Sequence, residues 1–361
     1  MIRLSAHLPN FERATANRQR GRAPLQRRVR RDSWSALAAV KCRINFLVGS
    51  ILIVFLLLSS RALAESPHHL VVTGHVDEAM ETLRQQIQSD PKNAEAQNLL
   101  CRAYFQLDEW DSAISACERA AMLDPRSSLY RLWLGRAYGE KADRAGFLKA
   151  AKLAGKVRES FEHAVQLDPS NWEARTDLAE FYLEAPSMVG GGKDKALAQA
   201  DALMNLKPPM AHWVQGRIAE KNKDSVGAER EFRAAIAASN GGAHARLNLA
   251  LFYLHTKRLD EMEQALVAME TSPLDRAESF TDGASILLRT GRNLPFAERL
   301  ARKYLQGTTV EEEPSFKAHT LLGEILEKQG DKKAAADEYQ KALALASEYS
   351  RAQAGLRRVQ P

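Results

Sequence analysis

The stretch that decides the fold is residues 95–126, with the sequence EAQNLLCRAYFQLDEWDSAISACERAAMLDPR. Its first half contains a Leu-small-x-x-Tyr element from Leu100 to Tyr104, and its second half has small residues at Ala113 and Ala120. Spacings of three, four and seven residues place side chains on one face of a helix. A short turn separates the halves, and an Asp-Pro pair ends the stretch because proline cannot continue a helix interior. The sequence therefore predicts two antiparallel helices that meet through small side chains.

The pattern of residues 95–126 recurs along the chain. The prolines that close successive units are separated by 34, 44 and 39 residues, and they are Pro91, Pro125, Pro169 and Pro208. We interpret the longer intervals as insertions into the repeat, near 141–156 and 185–192, at the tips of their hairpins. A hairpin repeated at this period predicts an array in which each unit packs on the next.

These features resemble those of the tetratricopeptide repeat family. The resemblance rests on the 34-residue period, the Leu-small-x-x-Tyr element, the small-large-small element and the closing Asp-Pro, and it covers about residues 67–348. It implies an all-α fold, a right-handed α-solenoid of stacked antiparallel helical hairpins. We expect an N-terminal half repeat over 65–93, about seven hairpins over 94–348 and a C-terminal capping helix over 349–361.

The first 64 residues differ in charge from the rest of the chain. They contain 12 basic and 2 acidic side chains, which leaves 39 basic and 43 acidic side chains in the other 297 residues. The net charge is therefore +6 for the whole chain and −4 without this segment. Because the basic excess is confined to the N-terminal segment, we expect no nucleic-acid partner for the repeats.

The N-terminal segment has the three parts of a secretory signal peptide. A basic leader over 1–45 precedes residues 46–64. This segment has an apolar run of 13 residues, 46–58, and after three further residues a small-x-small sequence formed by Ala62 and Ala64. Spanning a bilayer takes about 20 apolar residues, so cleavage after Ala64 is the favoured interpretation. Retention of the run as a membrane anchor is the alternative. A compact signal needs nothing before Val40, and we hypothesise that translation starts there.

Several motifs resemble parts of catalytic or ligand-binding sites, but a purely structural role explains each of them better. The sequence Gly190-Gly191-Gly192-Lys193 lacks the Ser or Thr and the preceding strand of a phosphate-binding loop, and we interpret it as a hairpin turn. The histidines do not have the spacing of a catalytic zinc helix. We interpret the triple glutamate 311–313 as a solvated loop before a helix. We therefore predict no catalytic residue, no cofactor and no metal site.

Two cysteines lie at facing positions of one predicted hairpin. The axes of packed helices are about 8–10 Å apart, so facing small positions can bring the Cα atoms of Cys101 and Cys117 within disulfide range. A disulfide is plausible in an exported protein. The alternative is that both residues are simply small members of the core.

The resemblance also implies where a partner binds. In tetratricopeptide repeat proteins the first helix of each hairpin lines a concave groove that holds a peptide or protein. The family's register places ten residues of this chain in that groove: Asn98, Arg102, Phe105, Trp133, Arg136, Glu140, Asp177, Glu180, Trp213 and Arg217. Arginine and tryptophan are frequent interface anchors. The alternative is that the tryptophans pack between hairpins and the arginines pair with neighbouring carboxylates.

We therefore expect a non-enzymatic scaffold that binds a protein or peptide segment in the cell envelope, in the periplasm of a bacterium when the signal is cleaved. A membrane-anchored assembly factor of envelope complexes, with its repeats outside the cytoplasm, is the second hypothesis. It would contact the membrane only through the uncleaved N-terminal segment. An enzyme with a site in the insertions at 141–156 or 185–192 is the least favoured.

Overall fold

The computed structural model describes residues 65–360, and this part of the chain is built from helices. It contains 17 α-helices, one short 3-10 helix (Ser187–Val189) and no named strand. The α-helices are α1 (Pro67–Thr73), α2 (Val76–Ser89), α3 (Ala94–Gln106), α4 (Trp110–Leu123), α5 (Ser128–Asp143), α6 (Phe147–Leu167), α7 (Trp172–Glu184), α8 (Lys193–Leu206), α9 (Pro208–Lys221), α10 (Ser225–Ala238), α11 (Ala243–His255), α12 (Leu259–Glu270), α13 (Ser279–Thr290), α14 (Leu294–Leu305), α15 (Ser315–Gln329), α16 (Lys332–Leu345) and α17 (Ser350–Val359).

The helices pack in pairs that stack one on the next. Helices α3 to α16 form seven hairpins, and the first helix of a hairpin also contacts the first helix of the following one, as α3 does with α5. The unit before them has a two-turn helix, α1, and a full second helix, α2. Helix α17 packs on α15 and α16 and covers the end of the stack. The predicted all-α solenoid is therefore confirmed.

Glycine facing an aromatic ring sets the close approach within several hairpins. A Cβ added to Gly323 would lie 2.7 Å from a ring atom of Tyr339, and one added to Gly216 would lie 3.0 Å from Phe232. Real Cβ contacts are longer, so each ring fills the space that the missing side chain leaves. The small-large pattern of the sequence is thus the packing rule of the hairpins.

Side-chain caps define where several helices begin. The side chains of Asn93, Asn171 and Asp331 accept hydrogen bonds of 2.9, 3.0 and 3.0 Å from the backbone amide three residues later. Such caps satisfy amides that the first turn of a helix leaves free. Asn93 and Asn171 therefore fix the start of the first helix of a hairpin, and Asp331 fixes the start of the second helix of the last hairpin.

The N-terminal unit contacts the last hairpin. The Ser315 hydroxyl donates to the Thr73 carbonyl at 2.9 Å, and the Ser347 amide donates to the Asp77 carboxylate at 2.9 Å. These pairs are separated by 242 and 270 residues in the sequence. Lys317 on α15 also donates to Asp108, which follows α3, at 3.3 Å. The two ends of the described solenoid therefore meet, and α15 lies near the C-terminal end of α3.

The basic leader 1–45, the segment 46–64 and the cleavage residues Ala62 and Ala64 lie outside the described residues. Within residues 65–360, no helix combines the length and hydropathy needed to cross a membrane.

Candidate partner-binding groove

The concave side of the solenoid contains a cavity of about 790 Å³. Helices α3, α5 and α7, the first half of α6 and the loop after α7 form its walls, and residues of the segment 311–317 close it on the far side. Six of the ten predicted groove residues line it: Phe105, Trp133, Arg136, Glu140, Asp177 and Glu180. The cavity is therefore the strongest candidate for the predicted groove.

Trp133 is the centre of the aromatic wall of the cavity. Only 7% of it is exposed, and its ring meets that of Phe105 edge to face at 5.4 Å. The guanidinium groups of Arg102 and Arg136 lie 5.3 and 5.0 Å from its centroid, within range of cation–π attraction. Most of the Trp133 side chain is therefore packed between hairpins, as the alternative interpretation has it.

The groove arginines form ion pairs with the neighbouring hairpin. Arg136 on α5 donates to Asp177 at 2.7 Å and to Glu173 at 3.0 Å, both on α7. Burial alone would lower the pKa of Arg136, but the two carboxylates outweigh it and raise that pKa. From the other side, Arg217 on α9 donates to Glu184 on α7 at 2.7 Å. These arginines therefore connect consecutive repeats.

A loop crosses the concave face of α3. In this crossing loop, residues 306–314, the Glu311 carboxylate pairs with the Arg102 guanidinium through two hydrogen bonds, and their side chains are 10% and 9% exposed. Gln106 donates to the Glu311 carbonyl at 3.2 Å. The interpretation of the triple glutamate as a solvated loop is therefore wrong for Glu311, whose carboxylate pairs with a buried cation, and for Glu313, whose carboxyl is desolvated by burial.

The crossing loop also changes what is accessible on α3. Asn98 is 1% exposed and Arg102 is 8% exposed. The prediction that these two side chains face an open groove is wrong, because Arg102 is buried in its pair with Glu311 and Asn98 is itself buried. The sequence contains no sign of the contact, since the two partners are 209 residues apart and the crossing loop has no helical periodicity.

The remaining predicted residues lie on α9, outside this cavity. Trp213 and Arg217 are half-buried, and the Arg217 guanidinium is 5.7 Å from the Trp213 centroid. The ten predicted residues thus fall into a covered pair on α3, the cavity group and the pair on α9.

The rim of the cavity contains residues that the family register does not indicate. Phe147 and Met188 are 74% and 78% exposed, and both belong to the insertions of the sequence. Asp143 and Glu312 add carboxylates. The sequence signal that could have indicated Phe147 and Met188 as rim residues is the presence of a large apolar residue in each insertion.

Glu180 lies among other carboxylates in the groove. Desolvation by the surrounding walls and then the negative charges of Asp177 and, more weakly, Glu184 and Asp143 raise its pKa, against the attraction of Arg217. A cation brought next to Glu180 would therefore stabilise its charged form.

The two cysteines lie beside the groove, on the two helices of its first hairpin. The Cα atoms of Cys101 and Cys117 are 5.2 Å apart, and the structure joins their buried sulfur atoms. This geometry lies within the range that a disulfide requires. Among residues 65–360, no group of His, Cys, Asp or Glu is arranged to hold a metal ion.

The stacked hairpins and their concave groove define an α-solenoid of the type used as a protein-interaction scaffold. Family models of the tetratricopeptide repeat match residues 73–137, 215–271 and 298–350. These three segments therefore match the tetratricopeptide repeat, as the resemblance implies.

Solved structures with a similar arrangement are distant in sequence. TTC0263, a thermophilic TPR protein of Thermus thermophilus, is 16% identical with a TM-score of 0.42, over 50% of this chain and 91% of its own. Yeast Tom70 is 14% identical with a TM-score of 0.48, over 79% of this chain and 58% of its own. YrrB, described as a TPR protein with an unusual peptide-binding site, is 16% identical with a TM-score of 0.35, over 53% of this chain and 91% of its own. A comparison with proteins of curated function found no match.

Proposed function

We propose that the protein is a non-enzymatic scaffold that holds a segment of a partner protein against its concave face. The observation that carries this proposal is the cavity of about 790 Å³ between α5, α6 and α7. Ligand sites are concave and mostly apolar, with a few polar groups that orient the bound molecule. In this cavity the aromatic side chains supply the apolar surface, and the carboxylates supply the polar groups.

The residues at the rim of the cavity favour a protein as the partner. Phe147 and Met188 expose most of their apolar surface at the mouth of the cavity. Large apolar side chains grouped around a concavity are typical of interaction surfaces. A partner that covered them would gain hydrophobic stabilisation that the free protein lacks.

Cross-linking from the rim tests this function. A photoreactive phenylalanine analogue at position 147 should capture a partner in cells, whereas the same analogue at position 226 should not. Val226 is a matched control because it is 82% exposed on α10 and does not line the cavity. Equal capture from both positions, or none from position 147, would contradict the proposal.

We also propose that the protein works in the cell envelope after export. Two observations support this: the signal-like composition of residues 46–64 and the cysteine pair at disulfide distance, since disulfides persist in oxidising compartments. N-terminal sequencing of the protein isolated from envelope fractions should begin at Glu65. An N-terminus upstream of residue 46, with resistance to carbonate extraction, would instead favour the membrane-anchored assembly factor.

A further inference from the structure

The first half of α6 presents an unpartnered apolar face to the cavity. Its side chains on this face follow the spacing i, i+3, i+4 and i+7, and they are Phe147, Ala150, Ala151 and Ala154. Trp133 and Phe181 contribute aromatic surface from α5 and α7. Because three of the four α6 side chains are alanines, the space between the helices stays open. The result is an apolar slot of a size that takes a few side chains.

Carboxylates outnumber cations around this slot. The acidic residues that line it are Glu140, Asp143, Asp177, Glu180, Glu184, Glu311 and Glu312, and the basic ones are Arg136 and Lys317. Cations behind the walls neutralise some of these carboxylates, as Arg144 does for Glu140 at 2.6 Å.

Three carboxylates at the slot have little or no compensation. Asp143 and Glu312 form no ion pair within residues 65–360, and Glu180 reaches Arg217 only at 4.0 Å. Glu180 is also crowded by Asp177, Glu184 and Asp143. A positive charge at the mouth of the slot would therefore be attracted by several groups at once, and charge complementarity of this kind selects partners.

We propose that the slot binds a cationic amphipathic segment of a partner protein, in which a few apolar side chains are flanked by lysine or arginine. The apolar side chains enter between Trp133 and the alanine face of α6, and the cations lie against Asp143 and Glu180. This inference rests on the proposed function and names the chemistry of its partner. Apolar contact supplies most of the affinity, and the carboxylates supply the selectivity.

Binding of model peptides tests this chemistry. The probe is a short fluorescent peptide of leucine and lysine in an amphipathic pattern, titrated with the protein as isolated from cells and followed by anisotropy. Two matched peptides replace all lysines with glutamate or all leucines with serine. We expect saturable binding of the leucine-lysine peptide and roughly tenfold or greater losses with each replacement. Equal binding of the leucine-glutamate peptide would overturn the proposal.

Charge-neutral variants locate the site. Asp143→Asn/Glu180→Gln should weaken binding of the leucine-lysine peptide about tenfold. The control Glu159→Gln/Asp201→Asn removes the same two charges at exposed positions that do not line the cavity, and it should leave the affinity unchanged. Equal losses in both variants would mean that only the overall negative charge attracts the peptide, which overturns the assignment of the site.

The composition of the partner segment that is cross-linked to position 147 distinguishes this inference from the proposed function. Capture from position 147 of a partner segment rich in lysine, arginine and apolar residues supports both. Capture of an acidic partner segment leaves the scaffold function standing and overturns the inference. Capture of the chain's own residues 1–64 also overturns it, because the occupant would then be no separate protein.

Discussion

At the scale of single residues, the pair formed by Arg102 and Glu311 is a contact with a large expected effect on stability. Both side chains are about nine-tenths buried, and the two bond through a fork of guanidinium and carboxylate. Removing one partner of a buried ion pair leaves a charge that neither water nor protein compensates. The pair therefore makes the position of the crossing loop, residues 306–314, sensitive to a single substitution.

The first prediction concerns this pair. We expect Glu311→Ala to lower the free energy of unfolding by about 3–5 kcal/mol, because it leaves the Arg102 charge buried alone. Glu298→Ala removes the partner of Arg302 in a more exposed pair of 2.8 Å and should cost less than about 1 kcal/mol. Denaturant unfolding of both variants measures the difference. Equal midpoints would show that the crossing loop does not hold this position in solution.

The second prediction concerns the pH dependence of stability at Glu313. Burial raises the pKa of its carboxyl to about 8, with a further increase from Asp282 and Glu278 and a decrease from Lys317 and Arg351. The unfolded pKa is near 4.3, so between these values the folded state holds a proton that the unfolded state has lost. Stability must therefore fall as the pH rises through this window.

Thermal unfolding of the wild type and of Glu313→Gln checks this sign. We expect the wild-type midpoint to fall between about pH 6.5 and pH 8, and the fall to be smaller in the glutamine variant, which cannot lose the proton. The same slope in both proteins would mean that other groups cause it.

At the scale of helices, the disulfide geometry of the first full hairpin makes the third prediction. A bond between Cys101 on α3 and Cys117 on α4 closes a loop with a sequence separation of 16, for which chain entropy predicts about 3 kcal/mol of stabilisation. We expect reductant to lower the unfolding midpoint of the wild type purified under oxidising conditions and to have no effect on Cys101→Ala/Cys117→Ala. The same number of free thiols before and after reduction of the denatured protein would rule the bond out.

The fourth prediction uses two helix glycines with opposite surroundings. Gly323→Ala adds a Cβ 2.7 Å from a ring atom of Tyr339 and should destabilise the protein by about 1–3 kcal/mol through overpacking. Gly139→Ala on α5 meets no atom within 4 Å and should stabilise it by up to about 1 kcal/mol through helix propensity. Unfolding midpoints that move in the same direction would contradict this account of how the hairpins pack.

The sequence predicts helices well because the repeat is a local pattern. Small residues opposite aromatic rings, and prolines at a period near 34, indicate both the hairpins and their stacking. The insertion at 141–156 also follows the local rule, since α5 and α6 extend to either side of Gly146. The crossing loop could not be predicted, because its contact with Arg102 depends on the curvature of the whole array.

At the scale of the whole molecule, the meeting of the two ends determines which parts of the concave face are open. Ser315, which contacts Thr73, directly follows the crossing loop, and Glu311 of this loop pairs with the buried Arg102. The cavity at α5, α6 and α7 is therefore an open part of the groove. The family register identified six of the residues that line this cavity, and it missed the insertion residues Phe147 and Met188 because the repeat pattern has no position for them.

The central claim is that this cavity is where a partner binds, and the most direct test is partner binding by rim variants. Phe147→Ala/Met188→Ala removes two side chains that are 74% and 78% exposed, so the fold should survive. Burying a large apolar side chain contributes about 1.5–3 kcal/mol. We therefore predict that this variant binds the cross-linked partner with at least about tenfold lower affinity, while Val226→Ala binds like the wild type. Equal affinity for all three proteins would contradict the claim.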